Sequence, residues 1–220
     1  MASSSGERVK GEPRWPMTLA VVSVISLTMA LPERLTSGPR WIFPSGMAIL
    51  LVALIATDPG AITKTSKVLR GLSIALVLLM VLSALVSTVI LIKDLIEVVP
   101  QFQNGTTLLT AGGSVWLINI LAFALLYWEF DGGGPAARAY GMPASPDFAF
   151  PQQLDPEISP PSWRPQFVDY FYVGVTDAVA FSPTDAMPLA HWAKLTMALQ
   201  ALISLAILGL VIARAVNVLQ

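Results

Sequence analysis

The side chains best suited to chemistry gather in one stretch. Asp169, Asp177 and Asp185 lie there, with Thr176, Ser182 and Thr184 between them. Carboxylates and hydroxyls grouped in this way suit a watery path for cations. Thr196, Gln200 and Ser204 follow at spacings of four, which sets them along one face of a helix. That face either contacts water or supplies hydrogen-bonding glue between helices, at about 0.6 kcal/mol per contact. Thr107, Thr110, Ser114 and Asn119, and separately Ser83 and Ser87, read as packing and glue. Enzyme chemistry finds little support. His191 is the sole histidine and there is no cysteine, so histidine-rich and thiolate metal sites drop out, and with them disulfides and cysteine nucleophiles. A membrane aspartyl protease needs its two aspartates on two facing helices, whereas Asp177 and Asp185 share one short segment. Nucleotide-binding and G-x-S-x-G motifs are absent, and Gly132-Gly133-Gly134 sits after a helix, where it breaks the helix and does not cradle phosphate. The expectation is a non-enzyme with no cofactor and no metal.

The elements that hold these residues are membrane helices. Of 220 residues, 55% are hydrophobic and 12% charged, about half the charged share of a soluble domain; the mean hydropathy is +0.68. A net charge of −1 offers no basic field for nucleic acid. A spanning helix needs roughly 20 apolar residues. Five runs reach or approach that length: Met17–Leu31, Trp41–Thr57, Gly71–Ile92, Leu108–Trp128 and Leu195–Ala213. The first two are short for a span and need tilt or local thinning of the bilayer. Residues 1–14 read as a disordered tail, 15–129 as a four-helix membrane region, 130–166 as a Gly/Pro-rich surface loop, 167–190 as a re-entrant or interfacial segment, and 191–220 as the last span. Ser182-Pro183-Thr184-Asp185 also fits a cap for that span. Charges near the spans, among them Asp94 and Glu129, fall at helix ends as ordinary anchors. With the N-terminus in the cytoplasm, nine of the thirteen Lys and Arg residues fall on the inner side.

Two resemblances follow. The order of helix, dipping segment and helix, ending in Ala190-His191-Trp192-Ala193-Lys194-Leu195, resembles the pore module of potassium channels. In that comparison Asp177, Ala178, Val179, Ala180, Phe181 and Ser182 stand in the filter's place. Asp185 and Pro188 then follow as the trailing acid and proline, after two extra residues. Ala180 and Ser182 occupy the positions of the two filter glycines. Across nearly the whole chain, Asp58-Pro59-Gly60, Tyr127 to Pro135, Pro146 to Pro151 and Ala180 to Asp185 carry a similarity to uncharacterised multi-pass bacterial membrane proteins. That similarity implies a protein of the bacterial cytoplasmic membrane and assigns no site residues.

The expectation is an all-α polytopic bundle of about five membrane helices. The function expected is an ion-channel-like homo-oligomer, tetrameric on the channel pattern. It would pass a monovalent ion past Thr176–Ser182, Thr184 and Asp185 and the face of Thr196, Gln200 and Ser204. The alternative is a non-conducting accessory membrane protein whose long loop binds a partner.

Overall fold

The computed structural model describes residues 11–36, 38–62, 66–97, 99–140, 146–155, 157, 160, 163–180 and 186–218. In chain order the elements are β1 (Glu12–Pro13), α1 (Trp15–Ala30), α2 (Ile42–Thr57), β2 (Ala61–Ile62), α3 (Lys67–Ile96), α4 (Gly105–Phe130), α5 (Pro135–Ala139), β3 (Phe148–Ala149), α6 (Pro151–Leu154), α7 (Phe167–Ala180), β4 (Met187–Pro188) and α8 (His191–Val218). The fold is all-α, with two two-residue antiparallel pairs, β1 on β2 and β3 on β4.

Three helices, α3, α4 and α8, are long and apolar enough to cross a membrane. At sixteen residues each, α1 and α2 remain the short members that the sequence predicts. Every predicted run forms a helix, and the three long ones extend several residues past the apolar run. Helical hydrogen bonding continues through polar flanks such as Lys67-Val68-Leu69-Arg70 once a spanning segment has paid the cost of nucleation.

α4 is the central post, packing on α1, α3, α7 and α8. Asn104 caps it, its side-chain oxygen accepting from the Thr106 and Thr107 amides at 2.9 and 3.3 Å. From Ile118 to Glu129 every α4 residue is buried. The outward faces of its neighbours are apolar instead of polar. Ile49, Val52, Val89, Leu195 and Leu202 are each more than 60% exposed. An exposed apolar mantle of this extent belongs against hydrocarbon.

Ion pairs and hydrogen bonds place α1, α3 and α8 parallel, and α2 and α4 opposite to them. At the end where α1 starts (the proximal end) Arg14 meets Asp58, and Arg70 meets Glu129. At the distal end Arg34 meets Asp94, Nε to Oδ2 at 2.8 Å.

The residues between α4 and α7 do not form an open surface loop where they are described. Gly132, Gly133 and Gly134 all take positive φ, and Gly134, at +94° with ψ 172°, sits where only glycine is comfortable. The sharp reversal turns Asp131 inward. Its carboxylate then accepts from the Asp147 and Phe148 amides at 2.7 and 3.1 Å and from the Tyr170 hydroxyl. Phe148 and Phe150 bury against Tyr170 and Trp192. This segment folds down as a cover on the proximal end, which corrects the expectation of a surface connection.

The tail is corrected in the same way at its inner edge. Glu12 and Pro13 pair with β2, and Arg14 is buried against Asp58 at 3.0 Å. Residues 1–10 lie outside the described residues. Asp94 and Glu129, expected as exposed anchors, are both 2% exposed. Each is held by an arginine because a buried carboxylate needs a partner.

Candidate functional site: a buried acid where three helices meet

α7 begins at the proximal end, with Phe167 edge-on to Trp128, and runs antiparallel to α4 into the bundle. Its buried positions Phe167, Tyr170, Val173, Gly174, Asp177 and Ala178 recur every three to four residues, so one stripe faces α4 and α8. Gly174 makes this contact close: a Cβ there would lie 3.3 Å from the Ile120 carbonyl oxygen and 3.4 Å from the Ala124 Cβ. Three residues further on, at 1.5 Å per residue, Asp177 comes level with about Asn119 of α4. That is about 16 Å below the end of α4.

α7 has fourteen residues and is too short to span. Ala180 lies about 15 Å deeper than Tyr170. The next described residue, Ala186, adjoins β4, which pairs with β3 at the level of Tyr170. By Ala186 the chain is therefore back at the end where α7 started.

A polar cluster lies where α4, α7 and α8 meet. The Gln200 amide donates to the Gly174 carbonyl at 2.8 Å, and its oxygen accepts from the Tyr127 hydroxyl at 2.6 Å. The Asn119 amide reaches the Ser204 hydroxyl at 3.4 Å. Gln200, Ser204 and Asn119 are wholly buried. Asp177 is 2% exposed, and its Oδ2 has no hydrogen-bond partner; the Asn119 oxygen has none either. In addition, the carbonyls of the last turn of α7 lack intrahelical partners and form the negative end of its dipole. Two oxygens of this region, Asp177 Oδ2 and the Asn119 amide oxygen, are buried without a hydrogen-bond donor.

The predicted site residues divide accordingly. Gln200 and Ser204 bond to α7 and α4, and Asp177 is buried one turn beyond Gly174 on the same stripe of α7. Thr196 is half-buried and returns its hydroxyl to the Trp192 and Ala193 carbonyls, so it takes no part in the cluster. Thr176, Ala178, Val179 and Ala180 are helical, with the Thr176 hydroxyl bonded back to Tyr172 and Val173. The extended carbonyl ladder of a filter is not formed at them. Phe181, Ser182, Thr184 and Asp185 lie outside the described residues, as does the predicted cap on α8. The polar face of α8 turns inward onto α4 and α7 of its own chain, which is the glue geometry. Tyr127 stands near the end of the fourth apolar run. Its position in a continuous apolar run carried no sign that its hydroxyl would meet Gln200.

A second polar layer closes the proximal end. Glu12 accepts from the Trp128 indole at 2.8 Å and from the Phe167 amide, and Arg138 stands 3.9 Å away. Arg138 donates to the Trp128 and Asp131 carbonyls at 2.8 and 2.6 Å and lies 5.1 Å over the Tyr170 ring. Burial pushes the Glu12 carboxyl above its usual range, against the opposing pull of Trp128, Phe167 and Arg138. Neither Glu12 nor Arg138 was legible as a site residue, since their partners lie up to 155 positions away. Among the described residues no group of three or more His, Cys, Asp or Glu side chains is arranged to hold a metal ion.

No family model, no curated protein and no solved structure matches this chain.

Proposed function

We propose that this integral membrane protein passes monovalent cations, protons included, along the interior of the α4–α7–α8 interface, with Asp177 as the site that the ion occupies. One observation carries the reading: a buried carboxyl with an unpartnered oxygen, on a fourteen-residue helix packed against α4 and α8. An ionisable residue inside a membrane bundle is expensive, and function is the ordinary reason to keep one. Because the cluster lies within one chain, a homo-oligomer would repeat the path in each protomer. A second reading, a shared axis between four copies, is favoured by Val179, which is 54% exposed at the tip of α7. On either reading the protein belongs to the ion-channel-like class, and the basic bias of the proximal end favours placing that end in the cytoplasm of a bacterial inner membrane.

The test is reconstitution in liposomes under a potassium or a proton gradient, comparing the native chain with Asp177→Asn. Flux in the native protein and its loss in the variant are expected, with unchanged unfolding temperature. Absence of flux in both, or equal flux in both, sinks the proposal and leaves the accessory reading. The mass of the detergent-free assembly separates the two path geometries: a functional monomer excludes the shared axis.

A further inference from the structure

A cavity of about 260 Å³ opens at the proximal end between α1, α2, α3 and α5, away from Asp177. Its two acids are already engaged: Asp58 holds Arg14 at 3.0 Å, and Glu129 accepts from Ser73 at 2.6 Å with Arg70 at 3.6 Å. Its donors are in surplus. Arg14 is 5% exposed and its Nε has no partner. Lys67 is exposed with no partner among the described residues. Ser66, the N-cap of α3, makes no side-chain cap bond, so the first amides of a thirty-residue helix face the same region. The complement of spare cations and amides is an anion, and an oxyanion such as phosphate suits both guanidinium and amide donors. The remaining wall, including Met17, Leu54, Ile62, Leu69 and Trp128, is apolar, and a free phosphate has no use for it. Polar donors at a helix end beside an apolar cleft between helices describe the headgroup level of a bilayer.

We propose that this cavity binds one anionic glycerophospholipid, its phosphate held by Arg14, Lys67 and the start of α3, and its acyl chain running past Leu54 and Leu69. The volume equals about eight or nine waters, room for a glycerol phosphate head. This proposal stands apart from conduction, and flux measurements do not bear on it.

The test is native mass spectrometry of the full chain in detergent, titrated separately with phosphatidylglycerol, phosphatidylcholine and glycerol 1-phosphate. Two variants carry the same change of charge: Lys67→Glu at the cavity and Lys93→Glu at the distal end. The expected result is one phosphatidylglycerol retained per chain, at least fivefold more tightly than phosphatidylcholine. Lys67→Glu should weaken that binding at least fivefold, and Lys93→Glu should leave it unchanged. Lys67 is exposed, so both variants should fold, with matched unfolding temperatures as the check; Lys67→Gln serves if Lys67→Glu does not. Equal binding of the two lipids, or equal effects of the two charge reversals, overturns the proposal. Binding of glycerol 1-phosphate as tight as that of the lipid overturns it in favour of a soluble phosphate ligand.

Discussion

Asp177 and Glu12 are both buried acids, and what separates them is the supply of donors. Glu12 accepts from Trp128 and Phe167 and faces Arg138; Asp177 Oδ2 accepts from nothing. Glu12→Ala leaves an indole N–H and an amide unpaired in a closed layer, so it should lower stability by about 1–3 kcal/mol. Asp177→Asn removes no hydrogen bond from Oδ2 and should leave stability almost unchanged; unfolding temperatures in detergent compare the two. The pH response of Glu12 has a definite sign. Its folded pKa is raised, so the folded chain binds the proton more tightly than the unfolded chain. The contribution of Glu12 is then greatest below the unfolded value of about 4.5 and falls as pH rises through the raised folded value. Above pH 4.5, Glu12→Gln should therefore flatten the decline in unfolding temperature relative to the native chain. Asp177, Gln200 and Ser204 were legible because polar residues stand out beside apolar runs. Glu12 and Arg138 were not, since nothing local marks a residue whose partner is more than a hundred positions away.

Among the elements, α7 depends most on a single position. With the Ile120 carbonyl oxygen 3.3 Å and the Ala124 Cβ 3.4 Å from where a Cβ would stand, Gly174→Leu meets backbone and a methyl that cannot turn aside. The variant should lift α7 from α4, break the Gln200–Gly174 bond and cost more than about 2 kcal/mol. A lower unfolding temperature together with new protease cleavage between α6 and α8 would report it. A Cβ at Gly112 would lie 2.6 Å from a Val211 methyl, and because valine is stiff at χ1 Gly112→Ala should likewise part α4 from α8 and lower the unfolding temperature. The long helices were legible from their apolar runs. The short helix α7 was legible as too short to span and as aromatic, but its regular helical form was not. The cover between α4 and α7 was hidden, because its order comes from Asp131 and Asp147 bonding across the fold, and prolines in sequence suggest only the absence of regular structure.

At the scale of the whole molecule the clearest expectation is sidedness. Among the described residues Arg14, Lys67, Arg70, Arg138, Arg164 and Lys194 belong to the proximal end, and Arg34, Arg40, Lys93 and Arg214 to the distal end. The native chain has no cysteine, so single thiols report without interference. In right-side-out vesicles Arg40→Cys should react with an impermeant maleimide and Tyr140→Cys should not, until the membrane is opened. The opposite pattern would invert the map.

Glu12 also fixes an order of events in the making of the protein. It is tied to Trp128 and Phe167, 116 and 155 positions later. At about 5–20 residues per second, a ribosome needs roughly 8–30 s to pass from the first of these anchor points to the last. During that interval the earliest helix can settle in the bilayer, yet its leading strand has only β2 to hold it. Closure of the proximal end is thus a late step in biogenesis, and a nascent chain stopped before Phe167 should keep its start open to an added protease while its early helices are already shielded by lipid.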